Sequence, residues 1–406
     1  MTDCTHPSLP STAKTERARS IPSSRRGLIA LAAGSFGIGL TEFVVMGLLP
    51  QVARSLDVGI ASAGLLVAGY ALGVVFGGPL LTLLTAKASR KMVLLMLMGV
   101  FTIGNLACAL SPTYAALMMA RIVTGFAHGT FFGVGAIMAQ QLVPPDRKGS
   151  AIALMFTGLT LANVLGVPFG TWIGQAWGWR ATFLVICALG ILAFAAISLW
   201  VPRLPAERAP RKARTELAAM LGKGPLLGFA MTVLGFAGVF LLFTYIAPVL
   251  TRMSGFADSA VAPLLLLFGV GLVGGNLAGG WLADRNLRRA VLGTLLALAA
   301  TLIVSRWAFG SMPGAALAIA MFGAVAFGTV APLQAWTIRQ ARGADEALAS
   351  TFNISAFNLG NAIGAWIGGL VLSAGWGLPA LFFVAAVPPG LAAAIAFLTI
   401  EPETAP

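Results

Sequence analysis

The chain has 406 residues, of which 58% are hydrophobic and only 10% charged, and its mean hydropathy is +0.91. A soluble domain carries about 25% charged residues, so this composition excludes an ordinary soluble protein, and the continuous apolar runs exclude an alternating membrane β-barrel. A net charge of +13 would suggest nucleic-acid binding in a soluble protein. Here the basic residues lie in a few short loops, so we expect membrane orientation rather than a nucleic-acid partner.

The apolar runs predict an all-α membrane protein with twelve transmembrane helices in two six-helix pseudo-symmetric halves. The predicted organisation is a disordered tail (1–26), an N-terminal half (27–201), a linker (202–224), a C-terminal half (225–399) and a second tail (400–406). The predicted spans are 27–49, 60–84, 92–110, 114–141, 149–173, 181–201, 225–250, 260–283, 290–309, 314–338, 348–372 and 378–399.

The distribution of Lys and Arg predicts the orientation of these spans. The N-terminal tail, the central linker and the loops that follow even-numbered spans hold 21 of the 26 basic residues. Because basic loops stay in the cytoplasm, we expect both termini to be cytoplasmic, in a multi-pass protein of a bacterial inner membrane surrounded by lipid.

The first span, Ile29–Pro50, contains one ionisable residue, Glu42. A carboxyl group inside the hydrocarbon core costs several kcal/mol unless it faces protein or water, and such groups often serve function. Ser35, Gly39 and Glu42 share one helical stripe, which we predict to face a cavity. The alternative is a protonated or paired carboxyl group with a purely structural role.

The fourth span carries Arg121, Gly125, His128, Phe132 and Gly135 on one face. With a rise of 1.5 Å per residue, Arg121 lies about 10 Å below the outer boundary and Glu42 about 20 Å from the inner one, in a core about 30 Å thick. We therefore hypothesise that the two charges pair when the site is dry and separate when Glu42 takes up a proton. His128 is a candidate proton relay, or else a hydrogen-bonded packing residue.

The fifth span contains Gly166, Pro168 and Gly170, which suggest close helix contact and a bend. Bending between the halves would serve a gating motion, and tight packing alone is the alternative. The same glycine spacing recurs at Gly360 and Gly364, which indicates that the two halves repeat each other. Parallel six-span repeats with a pocket between them describe a secondary transporter.

The loop between spans 8 and 9 places Asp284 beside Arg285, Arg288 and Arg289. Such a cluster can hold neighbouring helices together on the cytoplasmic side, or it can serve orientation alone. The corresponding stretch of the first half, Thr82–Lys91, has Ala86 at the position of Asp284, so any contact there must differ.

The polar and aromatic residues inside the spans indicate a neutral or weakly polar organic substrate rather than an inorganic ion. We predict that about half of the polar groups reach the cavity. The candidate substrate-binding residues are Phe132, Asn163, Tyr245, Asn276, Gln334, Trp336, Asn358 and Asn361.

Three of these patterns resemble motifs of the major facilitator superfamily. Residues 280–289 resemble the family motif G-x-L-A-D-R-x-G-R-[RK], with Leu287 at the second glycine. Arg121 to Gly125 resembles the span-4 motif R-x-x-x-G. In the family the arginine of this motif is implicated in proton transfer. Residues 166–170 are similar to the span-5 antiporter motif, with Val167 inserted between its glycine and proline.

The resemblance extends from about Arg26 to Phe397 and implies the twelve-span drug:proton antiporter group. Thr41-Glu42-Phe43, the segment Gly47–Pro50 and His128-Gly129 are similar to its arabinose, chloramphenicol or purine nucleoside efflux branch.

We therefore predict proton-coupled efflux of a small neutral organic molecule, such as a sugar, nucleoside or drug, by alternating access. The alternatives are a facilitator or proton symporter on the same fold, and a membrane sensor without turnover. We expect no enzymatic activity, no cofactor and no metal site, because neither a phosphate-binding glycine loop nor a ligand cluster is present in the sequence. We expect a monomer.

Overall fold

The computed structural model describes residues 21–85, 88–144, 147–203, 219–341 and 346–399. Most of the two predicted tails and of the predicted linker, together with Ala86 and Lys87 in the first-half loop, lie outside the described residues.

Within the described ranges, twelve helical spans are long and apolar enough to cross a membrane. We number them α1 to α12 in chain order. Their bounds are Ile21–Ser55 (α1), Ile60–Leu84 (α2), Arg90–Leu110 (α3), Tyr114–Gln141 (α4), Lys148–Trp177 (α5), Trp179–Trp200 (α6), Lys223–Phe243 (α7), Val261–Arg285 (α8), Leu287–Ala308 (α9), Met312–Gln340 (α10), Glu346–Ser373 (α11) and Leu378–Thr399 (α12).

Two of these spans are irregular. In α5, a π-helical segment, Ala162–Gly166, separates Lys148–Leu161 from Val167–Trp177. In α10, the regular helix pauses at Thr329 between Met312–Gly328 and Val330–Gln340. Both interruptions border the space between the halves, where π segments often mark functional positions.

The packing of the helices confirms the two pseudo-symmetric six-helix halves. In the first half α1 packs on α5, α2 on α4 and α3 on α6. In the second half α7 packs on α11, α8 on α10 and α9 on α12, which is the same pattern six helices later. The halves meet along two seams, α2 with α11 and α5 with α8.

Glycine ridges explain why these pairs approach so closely. A side chain at Gly166 or Gly170 would press on Phe36, Leu40 or Val44 of α1, and one at Gly364 would overlap the backbone of α7. Small residues at i and i+4 bring two helix backbones together, and van der Waals packing then holds them without a hydrophobic driving force.

The outer surface of the bundle is apolar, as contact with lipid requires. Leu84, Leu199 and Leu277 are each at least 70% exposed. Trp177, Trp307 and Trp376 are exposed near helix ends, where tryptophan anchors a protein at the membrane–water interface.

Candidate functional site

A cavity of about 370 Å³ lies between the two halves. We call the side that carries the basic α2–α3, α4–α5, α8–α9 and α10–α11 connections the basic side. The cavity extends from the middle of the bundle toward that side, because its lining comes from the early turns of α5 and α11 and the later turns of α8 and α10. The lining residues are Glu42, Phe43, His128, Phe132, Phe156, Leu159, Thr160, Asn163, Phe236, Leu272, Asn276, Phe327, Val330, Gln334, Ser350, Ile354, Phe357, Asn358 and Asn361.

Glu42 lies at the deep end of the cavity and is buried. Its Oε2 lies 3.7 Å from Nδ1 of His128 in α4. Its Oε1 accepts a hydrogen bond of 3.3 Å from Nδ2 of Asn361 in α11. The carboxyl group therefore contacts both halves of the bundle through its two oxygens, and it is accessible from the cavity.

The other two residues of the stripe on α1 do not line the cavity. Ser35 is fully buried, and a side chain at Gly39 would meet Leu159 and Ala162 of α5. The stripe that we predicted to face the cavity therefore reaches it only at Glu42, because α5 covers the turns that precede it.

Arg121 is completely buried beside Glu42, at the same depth. Its Nη1 donates a hydrogen bond of 2.6 Å to the Thr41 carbonyl oxygen, and its Nε donates one of 3.5 Å to that of Leu66. Its guanidinium carbon lies 4.4 Å from the centre of the Tyr70 ring. In this structure backbone oxygens and an aromatic face hold the cation, and no ion pair joins it to Glu42 within the described chain. Its Nη2 has no hydrogen-bond partner.

His128 connects the acid to the interior of the first half. The Tyr70 hydroxyl lies 3.1 Å from Nδ1 of His128, and the His128 ring lies 5.0 Å from that of Phe132. His128 is thus both a packed residue and the nearest titratable neighbour of Glu42, so the structure is compatible with either interpretation of this histidine.

Five of the predicted polar substrate residues line the cavity, and their amides are only partly satisfied. Asn163 and Asn358 donate to the carbonyl oxygens of Leu159 and Ile354, one turn earlier in their own helices. Gln334 donates to Ser350 and accepts from Asn353. Asn276 is exposed to the cavity. Phe132 also lines the cavity, as predicted.

Tyr245 and Trp336 lie elsewhere. Tyr245 is fully buried just after α7, where its hydroxyl donates 2.9 Å to the Ala365 carbonyl oxygen. Trp336 packs in a core with Met231, Val291 and Leu295. We therefore remove both from the substrate contacts, because packing between helices already satisfies them.

Most of the aromatic lining of the cavity was not predicted from the sequence. Phe43, Phe156, Phe236, Phe327 and Phe357 all face the cavity. The chain contains 25 phenylalanines, so a phenylalanine in an apolar span carries no signal of its own. A phenylalanine that lines the cavity could be recognised only after the polar lining residues had shown which face of each helix points toward the cavity.

The halves are joined on the side opposite to the basic one. Arg54, at the end of α1, forms an ion pair of 3.3 Å with Asp258, which precedes α8. Gln175 of α5 donates to the backbone oxygen of the same Asp258. Beneath this contact, a side chain at Gly64 of α2 would collide with the Tyr245 hydroxyl, so the two halves touch there without a gap.

A two-half helical bundle with a buried acid at a central cavity has the architecture of a secondary transporter. The family model of the Major Facilitator Superfamily matches residues 31–349. The chain belongs to this superfamily.

Relatives within the superfamily include transport and efflux proteins. The chain is 43% identical to the inner membrane transport protein YdhP of Escherichia coli O157:H7, over 93% of this chain and 97% of the relative. It is 32% identical to a chloramphenicol resistance protein of Streptomyces lividans (85% and 88% covered) and 30% identical to a probable sugar efflux transporter of Helicobacter pylori (83% and 86%).

The fold is shared with solved transporters of low sequence identity. A D-xylose-proton symporter superposes with a TM-score of 0.78 at 18% identity, covering 93% of this chain and 98% of that one. A bacterial homolog of the human lysosomal transporter Spinster gives a TM-score of 0.74 at 17% identity, covering 94% and 97%. These likenesses concern the fold.

The loop that resembles the superfamily's charged motif lies at the end of α8. Asp284 is exposed and forms no ion pair within the described chain, while the guanidinium carbon of Arg285 lies 3.6 Å from the centre of the Trp281 ring. The Asn286 side chain accepts from the Arg289 backbone and so caps α9. Arg288 is half-buried. Among the described residues, Asp284 therefore forms no contact that would close this side.

In the segment that resembles the superfamily's antiporter motif, Gly166 and Gly170 face α1 of the same half, and Pro168 opens the helix that follows the π segment. This helix, Val167–Trp177, also packs on α8 of the second half. The π segment contacts α8 too, because a side chain at Gly269 would meet Asn163 and Val164.

Proposed function

We propose that this protein exports a small neutral organic molecule across a bacterial inner membrane in exchange for protons, by alternating access. The observation that carries the proposal is the position of Glu42: a buried acid that faces a central cavity and contacts both halves. An acid in this position can take up a proton from the cavity, and intramembrane acids of this kind mark proton pathways.

The chemistry of the cavity supports a neutral substrate. Glu42 and His128 are the only ionisable residues among those that line it, and the rest are phenylalanines, aliphatic residues, hydroxyls and amides. Aromatic walls with a few convergent polar groups are typical of sites for small organic molecules. We propose Phe132, Asn163, Asn276, Gln334, Asn358 and Asn361 as substrate contacts.

The direction of export follows from the predicted orientation. If the basic side is cytoplasmic, the cavity extends toward the cytoplasm while the Arg54–Asp258 contact closes the periplasmic side. This is the arrangement in which an exporter loads its substrate. The names of two relatives, a chloramphenicol resistance protein and a probable sugar efflux transporter, also favour export.

Arg121 is the residue that we propose for the other step of the proton cycle. Its Nη2 is buried without a partner, and leaving a charged donor unpaired is costly. We propose that this group pairs with Glu42 in the other access state, where the cavity is closed on the basic side. Asp284, Arg285, Arg288 and Arg289 would form their contact in that state, and the π segment before Pro168 would absorb the change in α5.

The test is transport by purified protein in proteoliposomes loaded with a pH-sensitive dye. A panel of sugars, nucleosides and antibiotics is added, and proton movement is followed together with substrate movement. Antiport predicts that substrate and protons move in opposite directions. Movement in the same direction would indicate a symporter, substrate flux without protons a facilitator, and absence of all flux a sensor.

Glu42→Gln is the decisive variant in this assay. The amide retains the volume of the acid, and its oxygen can still accept from Asn361, but it cannot bind a proton, so we expect loss of uphill transport with retention of substrate counterflow. Retained counterflow serves as the folding control. Uphill export by Glu42→Gln at the wild-type rate would refute the proposal.

A further inference from the structure

The orientation of two cavity amides is fixed by their partners. Nδ2 of Asn358 donates to a backbone oxygen at 3.0 Å, and Nδ2 of Asn361 donates to the Glu42 carboxylate at 3.3 Å. A backbone oxygen can only accept, and so can a carboxylate while it is ionised, so with Glu42 ionised each amide presents its NH₂ group to its partner. The Oδ1 atoms of both residues are buried without partners beside the cavity.

Asn358 and Asn361 therefore each hold an unpaired acceptor next to the cavity. They are separated by three residues on one face of α11, and both side chains are almost fully buried, at 3% and 4% exposure. Buried unpaired acceptors cost free energy unless a ligand or water satisfies them. The complementary ligand is a molecule with hydroxyl or N–H donors.

Protonation of Glu42 changes what Asn361 can do. An ionised carboxyl group only accepts hydrogen bonds, whereas a protonated one also carries an O–H donor. When the proton is on Oε1, the favourable partner is the carbonyl oxygen of Asn361 rather than its NH₂ group. Rotation of the amide by a half-turn meets this requirement and turns the NH₂ group toward the cavity.

We propose that Asn361 converts the protonation of Glu42 into the hydrogen-bond polarity of the substrate site by this amide flip. While Glu42 is ionised, the site accepts hydrogen bonds at both amide oxygens and holds a donor-bearing substrate. After Glu42 is protonated, one acceptor has become a donor and the substrate is released. This sign is the one that exchange of substrate for protons requires, and in this respect the inference rests on the proposed function.

Among the described residues, the titratable groups around the acid belong to the first half. His128 and Arg121 of α4 and Tyr70 of α2 lie near Glu42, and Cys108 of α3 lies beyond them beside Arg121 and Tyr70. His128 faces Oε2 and Asn361 faces Oε1, so the two oxygens have separate partners. Among the described lining residues the second half contributes no ionisable group, and in this part of the chain Asn361 makes its only hydrogen bond with the acid.

Infrared difference spectroscopy tests the flip on substrate-free protein. The chain contains seven asparagines, and the probe is purified protein grown with ¹³C in the asparagine side-chain carbonyl. The pH is stepped across the protonation of Glu42, and the carboxyl band and the labelled carbonyl band are followed together. We expect a labelled carbonyl band to move to lower wavenumber with the same midpoint as the rise of the carboxyl band.

Three variants assign these bands. Asn361→Leu should lose the moving amide band and keep the carboxyl band, whereas Asn358→Leu, the matched control one turn earlier, should keep both. Glu42→Gln should lose both bands. An amide band that stays still while the carboxyl band rises, or one that moves unchanged in Asn361→Leu, would overturn the proposal.

This experiment is independent of the transport assay. If proteoliposomes show no proton flux but the labelled carbonyl band moves with the protonation of Glu42, the proposed exchange of substrate for protons is refuted and the amide flip is supported. If proton flux is present and the labelled band does not move, the exchange is supported and the amide flip is refuted.

Discussion

Arg121 is the largest fully buried side chain of the described residues, and its surroundings show what holds a charge inside this bundle. Two backbone oxygens and the face of Tyr70 take the place of water around the guanidinium. Only a planar group with several donors can satisfy these partners at once.

Arg121→Lys should therefore be destabilising although it keeps the charge. The ammonium group cannot reach both the Thr41 and Leu66 carbonyl oxygens, so at least one buried acceptor loses its partner. We expect a loss of about 1–3 kcal/mol, seen as a lower midpoint of thermal unfolding in detergent, together with weaker uphill transport. Arg252→Lys is the matched control, because Arg252 is exposed, and it should behave as wild type.

For individual residues, the similar depth of Glu42 and Arg121 in the membrane could be predicted from the sequence, but their hydrogen-bond partners could not. A rise per residue is enough to place Glu42 and Arg121 at one level of the membrane. The contact of Glu42 with Asn361 joins residues 319 positions apart, and it depends on how the two halves dock. The number of residues to the membrane boundary carries no information on that docking.

The neighbouring glycines Gly274 and Gly275 of α8 show how one position decides the packing of a helix pair. A Cβ at Gly275 of α8 would overlap the backbone carbonyl of Ala324 in α10, whereas nothing lies within 4 Å of one at Gly274. The two positions are neighbours in sequence and opposite in environment.

Gly275→Ala should separate α8 from α10 and cost about 1–3 kcal/mol, the usual range for overpacking. Gly274→Ala should be neutral or slightly stabilising, because it only reduces the freedom of the unfolded chain. Thermal unfolding of the two variants in detergent compares them directly. Equal effects at both positions would mean that this helix contact is looser than described.

Among the elements, most spans could be predicted within a few residues, since length and hydropathy define them. The seventh was predicted to continue to residue 250, whereas α7 ends at Phe243. The first span was predicted to end at residue 49, whereas α1 continues through Pro50 to Ser55. The π segment of α5 was not foreseen, because Pro168 and its flanking glycines suggested a bend at the proline itself. The irregularity lies in the preceding turn, at Ala162–Gly166.

At the scale of the whole molecule, the bundle is closed on one side and has a cavity that extends toward the other. The side opposite to the basic one is joined through Asp258, which contacts α1 by its side chain and α5 by its backbone. Both side chains of the ion pair are more than half exposed, so its contribution is modest.

Arg54→Ala should shift the population toward opening on this side by about 1.4- to 5-fold, the range for an exposed ion pair. Spin labels at Gly59 and Gly310, both exposed near this side, report the change as a longer distance in pulsed electron resonance. The exchanged pair Arg54→Asp with Asp258→Arg should restore the wild-type distribution. Arg252→Ala is the control, and a shift of the same size there would remove the ion pair from the gate.

The orientation in the membrane is a further prediction at this scale. Cysteines introduced at Gly59 and Gly310 should react with a membrane-impermeant thiol reagent in intact cells, since positive loops stay inside. A cysteine at Leu221, which is exposed just before α7, should react only after the cells are opened. The reverse pattern would invert the proposed direction of transport.

The repeat of the halves and the basic asymmetry of the loops could be recognised from the sequence, because both are patterns along the chain. The conformation could not be predicted, because one sequence must support two states. One is the state described here, which is closed at Asp258 and has its cavity toward the basic side, and the other is the opposite state of the proposed cycle.

The two halves contribute different kinds of residues to the described cavity lining. The ionisable groups come from α1 and α4, and most of the amides come from α8, α10 and α11. Under the proposed function, substitutions in α8 and α10 would alter the substrate preference while leaving Glu42, His128 and Asn361 in place. A chimaera that exchanges these two helices between relatives, and retains α11, would then test whether specificity and proton coupling can be separated.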